Sequence, residues 1–246
     1  MNDLTGAAAL VTGGSRGIGA AIARGLAAAG ADVALTYRTG ADRARKVVSD
    51  IESHGRRGLA IQADSADAEQ VTAAVHRAAD ELGRLDILVN NAGIFPAKPF
   101  GEFTVDEIDH ALHIHARAAF VAAQAAVTHM PEGGRIVSIG SNLSERAIFG
   151  GVALYNLSKS ALNGFTRALA RELGPRNITV NLVQPGSTDT DMNPADGAHA
   201  PRQLHFNALG RYGRPDDIAA AVTFLASPAG RSITGATLTV DNGTNA

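Results

Sequence analysis

Short apolar runs alternate along this chain with longer stretches in which apolar positions return every third or fourth residue. The short runs predict strands over 7–12, 32–37, 58–62, 86–90, 135–140, 179–183 and 237–240. The longer stretches predict helices near 17–29, 41–54, 67–82, 104–129, 153–173 and 215–226. Strands alternating with helices make a parallel sheet covered on both faces. The pattern therefore predicts one α/β domain over residues 1–246, a doubly wound parallel sheet. No linker or internal repeat divides it. The least regular segment, 189–200, holds Asn193-Pro194 and Gly197 and reads as a mobile loop.

Composition narrows the function classes. Hydrophobic residues make up 45% of the 246 and charged residues 19%, which suits a sizeable core. A net charge of −2 leaves no electrostatic footprint for nucleic acid or an anionic membrane. The chain has no cysteine, which excludes disulfides and thiolate chemistry. Its first residues lack the basic and apolar parts of a signal peptide, and no apolar run nears the roughly 18 residues of a membrane helix. A cytoplasmic protein that binds neither nucleic acid nor membrane is expected.

In open parallel sheets ligands bind outside the carboxyl ends of the strands. Here those ends are polar and rich in glycine. The first predicted strand runs into Thr12-Gly13-Gly14-Ser15-Arg16-Gly17-Ile18-Gly19, and a helix follows at once. That context marks a dinucleotide site of the Rossmann type. Glycines let backbone N–H groups approach a pyrophosphate, and the helix start adds unpaired donors and a positive dipole end. The second strand ends in Tyr37-Arg38, where NAD-binding folds commonly place an acid for the ribose 2′-OH. Arg38, with Arg16 as a second cation, suits a 2′-phosphate instead, so the expected cofactor is NADP(H). At the reacting end, Tyr155 and Lys159 lie one helical turn apart on one face. An ammonium there favours the phenolate and lowers the tyrosine pKa, which makes the pair a proton donor for a carbonyl oxygen. Ser141 ends the fifth predicted strand and is placed to bind the same oxygen. Ser138, within that strand, and Ser144, beyond it, are less well placed.

Together these motifs resemble the classical short-chain dehydrogenase/reductase family, over essentially the whole chain and most closely its 3-oxoacyl-carrier-protein reductase and carbonyl reductase branch. Thr12-Gly13-x-x-x-Gly17-x-Gly19 is similar to the family's cofactor loop, and Asn90-Asn91-Ala92-Gly93 to its NNAG motif. Asp64, followed by Ser65, matches its adenine-contacting acid. Pro185-Gly186, with Thr188 and Thr190, matches the loop beside the nicotinamide. The sequence 240–243 resembles its C-terminal strand ending. The resemblance implies that Tyr155 exchanges the proton, that Lys159 lowers its pKa and holds the nicotinamide ribose, and that Ser141 orients the substrate oxygen. It also implies direct hydride transfer to or from a small carbonyl substrate without a metal, and a homotetramer paired through the alanine-rich helices near 104–129 and 153–173.

The chain departs from the family in three places. His115 stands where an asparagine usually joins a proton-relaying water chain, and the residues leave open whether it replaces that relay or abolishes it. One extra residue separates Ser141 from Tyr155, in the loop 142–153, which bears on the substrate pocket. Met130-Pro131-Glu132-Gly133-Gly134 is acidic where carrier-protein reductases tend to be basic, which favours free ketones or aldehydes; Arg176 lies near a second such position. His110, His113 and His115 do not converge as metal ligands. An NADPH-dependent ketone or aldehyde reductase is thus expected, working reversibly on the alcohol. The alternatives are an NAD-dependent secondary-alcohol or polyol dehydrogenase and a non-catalytic dinucleotide-binding protein. The loop 187–207 is expected to close over the substrate.

Overall fold

In the computed structural model, which describes residues 3–246, alternation of side chains along each strand sorts the core into two layers. Strand β1 (Ala8–Val11) sends Ala9 and Val11 to one side of the sheet and Ala8 and Leu10 to the other. The described residues complete a seven-stranded, all-parallel sheet with β2 (Asp32–Tyr37), β3 (Gly58–Gln62), β4 (Ile87–Asn90), β5 (Arg135–Ile139), β6 (Thr179–Pro185) and β7 (Thr237–Val240). The order across the sheet is β3-β2-β1-β4-β5-β6-β7. Helices α1 (Gly17–Ala28), α2 (Ala41–Ser53) and α8 (Pro215–Ala226) pack on the face that carries Val11, Val33, Leu35, Val89 and Val137. On the other face, against Leu10, Ala34, Leu88, Ile136 and Val180, lie α3 (Ala68–Leu82), α5 (Ala118–Ala126) and α6 (Ala153–Leu173). This is the doubly wound arrangement expected from the alternation of runs.

Local chemistry starts several of these elements. Asp67 caps α3 by accepting from the N–H groups of Glu69 and Gln70. Helix α4 (Val105–Leu112) opens with a capping box, Thr104 and Glu107 each accepting from the other's backbone. The side chain of Asp86 receives the N–H of Ala8 at 2.8 Å and grips Arg84 with both oxygens, fixing where β1 and β4 begin.

The structure differs from the predicted elements in three places. The long helix expected over 104–129 is interrupted between α4 and α5 by a π-helical turn, His113–Arg117. Such a turn inserts one residue into the helical ladder, which an alanine-rich stretch does not announce. Strand β6 continues two residues beyond the predicted end, because Gln184 and Pro185 pair with Thr239 and Val240. The segment 189–200, read as irregular, leads into a short helix, α7 (Ala200–Leu204). Side chains tie it down. Asp189 accepts from Ala195 N–H at 2.9 Å, and Gln203 exchanges amide hydrogen bonds of 2.9 and 3.0 Å with Asn193. No described helix is long and apolar enough to cross a membrane.

Candidate active site

Sheet order reverses between β1 and β4, so the connections leave these two neighbours toward opposite edges and open a crevice above their carboxyl ends. Hydrogen bonds stitch the two ends together. Thr12 Oγ1 accepts from the N–H groups of Asn91 (2.9 Å) and Ala92 (3.1 Å). In return Asn91 Nδ2 donates to the carbonyls of Thr12 (2.9 Å) and Gly13 (3.1 Å). Glycine is required under this stitch. A Cβ at Gly19 would fall 2.4 Å from both Asn91 Nδ2 and Gly13 O, and Gly13 itself has φ of +64° with Ala92 against it. The crevice is a single cleft of about 1010 Å³. The candidate cofactor-binding and catalytic residues line it, from Gly13, Ser15, Arg16, Gly17, Ile18 and Gly19 through Tyr37, Arg38, Asp64 and Ser65 to Pro185, Gly186, Thr188 and Thr190, while Thr12, Asn90 and His115 lie outside its lining.

One end of the cleft is built for anions. Helix α1 begins at Gly17 with no side-chain cap and no acid in its first turn, so its leading N–H groups face the cleft unpaired. Arg16 and Arg38 stand beside it, joined by Arg43 from the first turn of α2. Arg43 was not among the candidates. Its signal is its position three residues past Gly40, whose positive φ turns the chain so that the guanidinium folds back beside it. Asp191, on the far wall, reaches Arg16 (3.9 Å) and Arg43 (3.7 Å) across the opening. At this exposure such pairs contribute little, so they leave the guanidiniums free for a better anion. Three cations around an uncapped helix start fit the diphosphate and 2′-phosphate of NADP(H).

The other end holds the reacting groups. Ser141 leaves β5 buried, its hydroxyl accepts from Leu143 N–H at 3.3 Å, and it lines the cleft with Tyr155. The C-terminal segment braces this corner. Asp241 accepts from Asn142 (3.4 Å) and Asn245 (3.0 Å), while Asn245 donates to Asn142 O (2.8 Å). Phe95 meets the Tyr155 ring edge-on at 4.7 Å and His115 does so at 5.8 Å. Lys159 is 5% exposed, and its Nζ donates to Ile139 O at 2.8 Å. Burial pulls its pKa down to about 8. Burial pushes the Tyr155 phenol up, and the Ser141 hydroxyl opposes it. The expectation that Lys159 makes the phenol acidic therefore does not describe the protein by itself: desolvation outweighs any such pull, and the phenol is neutral.

Of the three clustered histidines only His115 is buried, turned inward by the π-helical turn. Its Nε2 accepts from Ile94 N–H at 3.0 Å. That leaves Nδ1 to carry the proton and donate to Ser158 Oγ at 2.8 Å, while Ser158 donates onward to Tyr155 O at 3.0 Å. Desolvation, with Lys159 nearby, lowers its pKa to about 2. Both ring nitrogens are occupied and the ring is neutral, so of the two readings left open by the sequence the geometry favours loss of the relay role. His115 instead ties the Ile94 loop to α6.

The comparisons with known proteins agree with this geometry. A family model described as "Enoyl-(Acyl carrier protein) reductase" matches residues 13–245. The chain belongs to the classical short-chain dehydrogenase/reductase family. Among curated members of this oxidoreductase family, the cyclic-di-GMP-binding biofilm dispersal mediator protein of Escherichia coli is 42% identical over 98% of both chains. A short-chain dehydrogenase from Burkholderia cenocepacia, solved with NADP, is 60% identical with a TM-score of 0.98 over 99% of both chains. A blue fluorescent protein from a metagenomic library, solved with NADPH, is 56% identical with a TM-score of 0.97, over 99% of this chain and 100% of that one.

The family departures take physical form here. The loop with the extra residue contributes Ile148, Phe149, Gly150 and Gly151 to the cleft wall, and Gly151 O accepts from Lys98 N–H at 3.0 Å. Arg176 spends its guanidinium on Val127 O (2.9 Å) and Met130 O (2.6 Å), closing the end of α5 rather than presenting a free charge. His115→Ala is expected to lower stability by about 2 kcal/mol, because it orphans the Ile94 N–H and removes the bond Ser158 accepts in a buried place; chemical denaturation reads this. His115→Asn is expected to leave the pH–rate profile unchanged between pH 5.5 and 8, since a ring with pKa about 2 does not titrate there. A new inflection in that range overturns the strut role.

Proposed function

We propose that this chain is an NADPH-dependent reductase of ketones or aldehydes, reversible toward the alcohol. The observation that carries the reading is that Ser141 and Tyr155 line one cleft together with Lys159 and with Arg16, Arg38 and Arg43. When bound, NADPH supplies the hydride. Tyr155 and Ser141 offer two hydroxyls to the substrate oxygen, and the neutral phenol gives up its proton as that oxygen gains charge. Carbon thus receives the hydride and oxygen the proton, and the phenolate remains. Lys159, an ammonium below about pH 8, is the cation four residues along on the same helix face as that phenolate. Gly93 brings the NNAG segment against Lys159, since a Cβ there would lie 3.3 Å from Nζ. Retention of these groups favours catalysis over a purely binding role. The three arginines and the absent acid after β2 favour NADPH over the NAD-dependent alternative.

The exposed apolar residues support the homotetramer. Phe120 on α5 and Leu157 on α6 are 55% and 58% exposed, and Phe120 stacks on Phe165 at 5.6 Å. Helices with such faces pair readily across subunits.

Three groups of outcomes are expected. Tyr155→Phe should lower kcat for ketone reduction by about a hundred- to ten-thousand-fold with an unchanged melting temperature, followed as NADPH absorbance. Because the buried Lys159 is charged below and neutral above about pH 8, wild-type kcat for reduction should be level to that pH and fall beyond it. Second, Arg38→Ala and Arg43→Ala should each raise KM for NADPH by about tenfold and leave that for NADH unmoved. An unchanged NADPH preference removes the residue from the account. Third, light scattering should give about 100 kDa, four chains of 25.3 kDa, and Phe120→Glu combined with Leu157→Glu should reduce it.

A further inference from the structure

We propose that Arg202 is an anion-binding residue of the substrate pocket and that the physiological carbonyl compound carries a carboxylate beyond an apolar body. This rests on the reductase reading above and extends it to the substrate class.

The charge around the cleft first demands explanation. Six Lys and Arg side chains line it against two Asp, although the whole chain has a net charge of −2. Arg16, Arg38 and Arg43 surround the phosphate end, and Lys159 stands behind Tyr155. Lys98 is held by both oxygens of Glu107. Asp191 is spent on Arg16 and Arg43. Arg202 remains: it pairs with no carboxylate among the described residues, and its one contact is a guanidinium placed 5.8 Å from the centre of the Phe149 ring.

Arg202 is exposed at the cleft, and the helix that carries it is held from behind. The neighbouring residue Gln203 accepts from Ser187 Oγ at 2.6 Å and forms the reciprocal amide pair with Asn193. These bonds orient α7 so that Arg202 lines the cleft and rests on the loop after β5. The cleft lining also includes Phe95, Leu143, Ile148, Phe149 and Met192, which give it an apolar section. A molecule with its carbonyl at Tyr155 would lay hydrocarbon along this section and meet a planar, unpaired cation at its far end. A carboxylate matches the guanidinium fork with two charge-assisted hydrogen bonds. Its binding would also bridge α7 to the loop after β5, closing the cleft over the substrate.

The test uses purified full-length enzyme with NADPH and a homologous series of oxo acids, each paired with its methyl ester. For the best-fitting chain length, kcat/KM for the acid should exceed that for the ester by about tenfold, and the excess should shrink as ionic strength rises. Arg202→Gln should bring the acid-to-ester ratio close to one, chiefly through KM for the acid, and Arg202→Lys should retain part of it. Arg231→Gln, the same charge change outside the cleft, should keep the wild-type ratio. Calorimetry of the oxo acid on Tyr155→Phe with NADPH reads the anion site apart from turnover, and Arg202→Gln in that background should abolish the binding. Equal or better turnover of the esters at every length, or an unaltered ratio in Arg202→Gln, overturns the proposal while the reductase reading stands. Failure of every ester and acid to consume NADPH overturns the reductase reading, and the proposal falls with it.

Discussion

The hydrogen bonds that join Thr12 to Asn91 hold the ends of β1 and β4 together at the point where the sheet changes direction. A parallel sheet must leave its strand ends unpaired there, and carbonyls and N–H groups so exposed need partners. Asn91 provides them with one side chain and so fixes the path of the glycine loop. That path sets the axis of α1 and aims its uncapped start into the cleft. The same NNAG segment continues to Gly93 and Ile94, which rest on Lys159 and His115. One short stretch of backbone therefore registers the anion end of the cleft against the reacting end, and neither could shift without the other.

Electrostatics explains why the reacting end is buried. An ammonium with one backbone acceptor and 5% exposure is a costly group to hold in a folded protein. Nothing in the core needs it, since an apolar side chain would pack there at less cost. On the proposed function, the charge answers the negative charge that develops on Tyr155. In the resting protein the phenol is neutral and desolvation keeps it so. That resting state suits the proposed reduction, in which tyrosine gives a proton away and the buried cation becomes favourable as that happens. This is stabilisation matched to the changing state rather than to the resting one.

The fold was legible because its signals are local and periodic. Strands such as Ile87–Asn90, buried on both faces, announce a covered parallel sheet. The cleft was legible because glycine loop, NNAG segment, Ser141 and Tyr155–Lys159 all fall at strand ends or on one helix face, which topology brings together without detailed geometry. Other features were hidden. Arg43 looks like any helix-surface arginine until the turn at Gly40 folds it back. Helix α7 is held by Gln203 and Asn193, a pairing of polar side chains with no period to detect. The direction of the Tyr155 shift was hidden too, since spacing reports that Lys159 is near but not how deeply both groups are desolvated.

His115 shows how one substitution is made tolerable by backbone geometry. In a regular helix its side chain would take the direction set by the preceding turns. The π-helical turn His113–Arg117 inserts one residue and rotates the imidazole between the Ile94 loop and α6. Once there, its tautomer is not free. The Ile94 N–H demands an acceptor at Nε2, and Ser158, already donating to Tyr155 O, demands a donor at Nδ1. Only the neutral ring with its proton on Nδ1 satisfies both. A protonated ring would set an N–H against an N–H and add a second cation beside Lys159. The same two bonds brace Tyr155 through the backbone of α6, while burial keeps the ring neutral. In this chain rigidity at that position and proton transfer through it are therefore mutually exclusive.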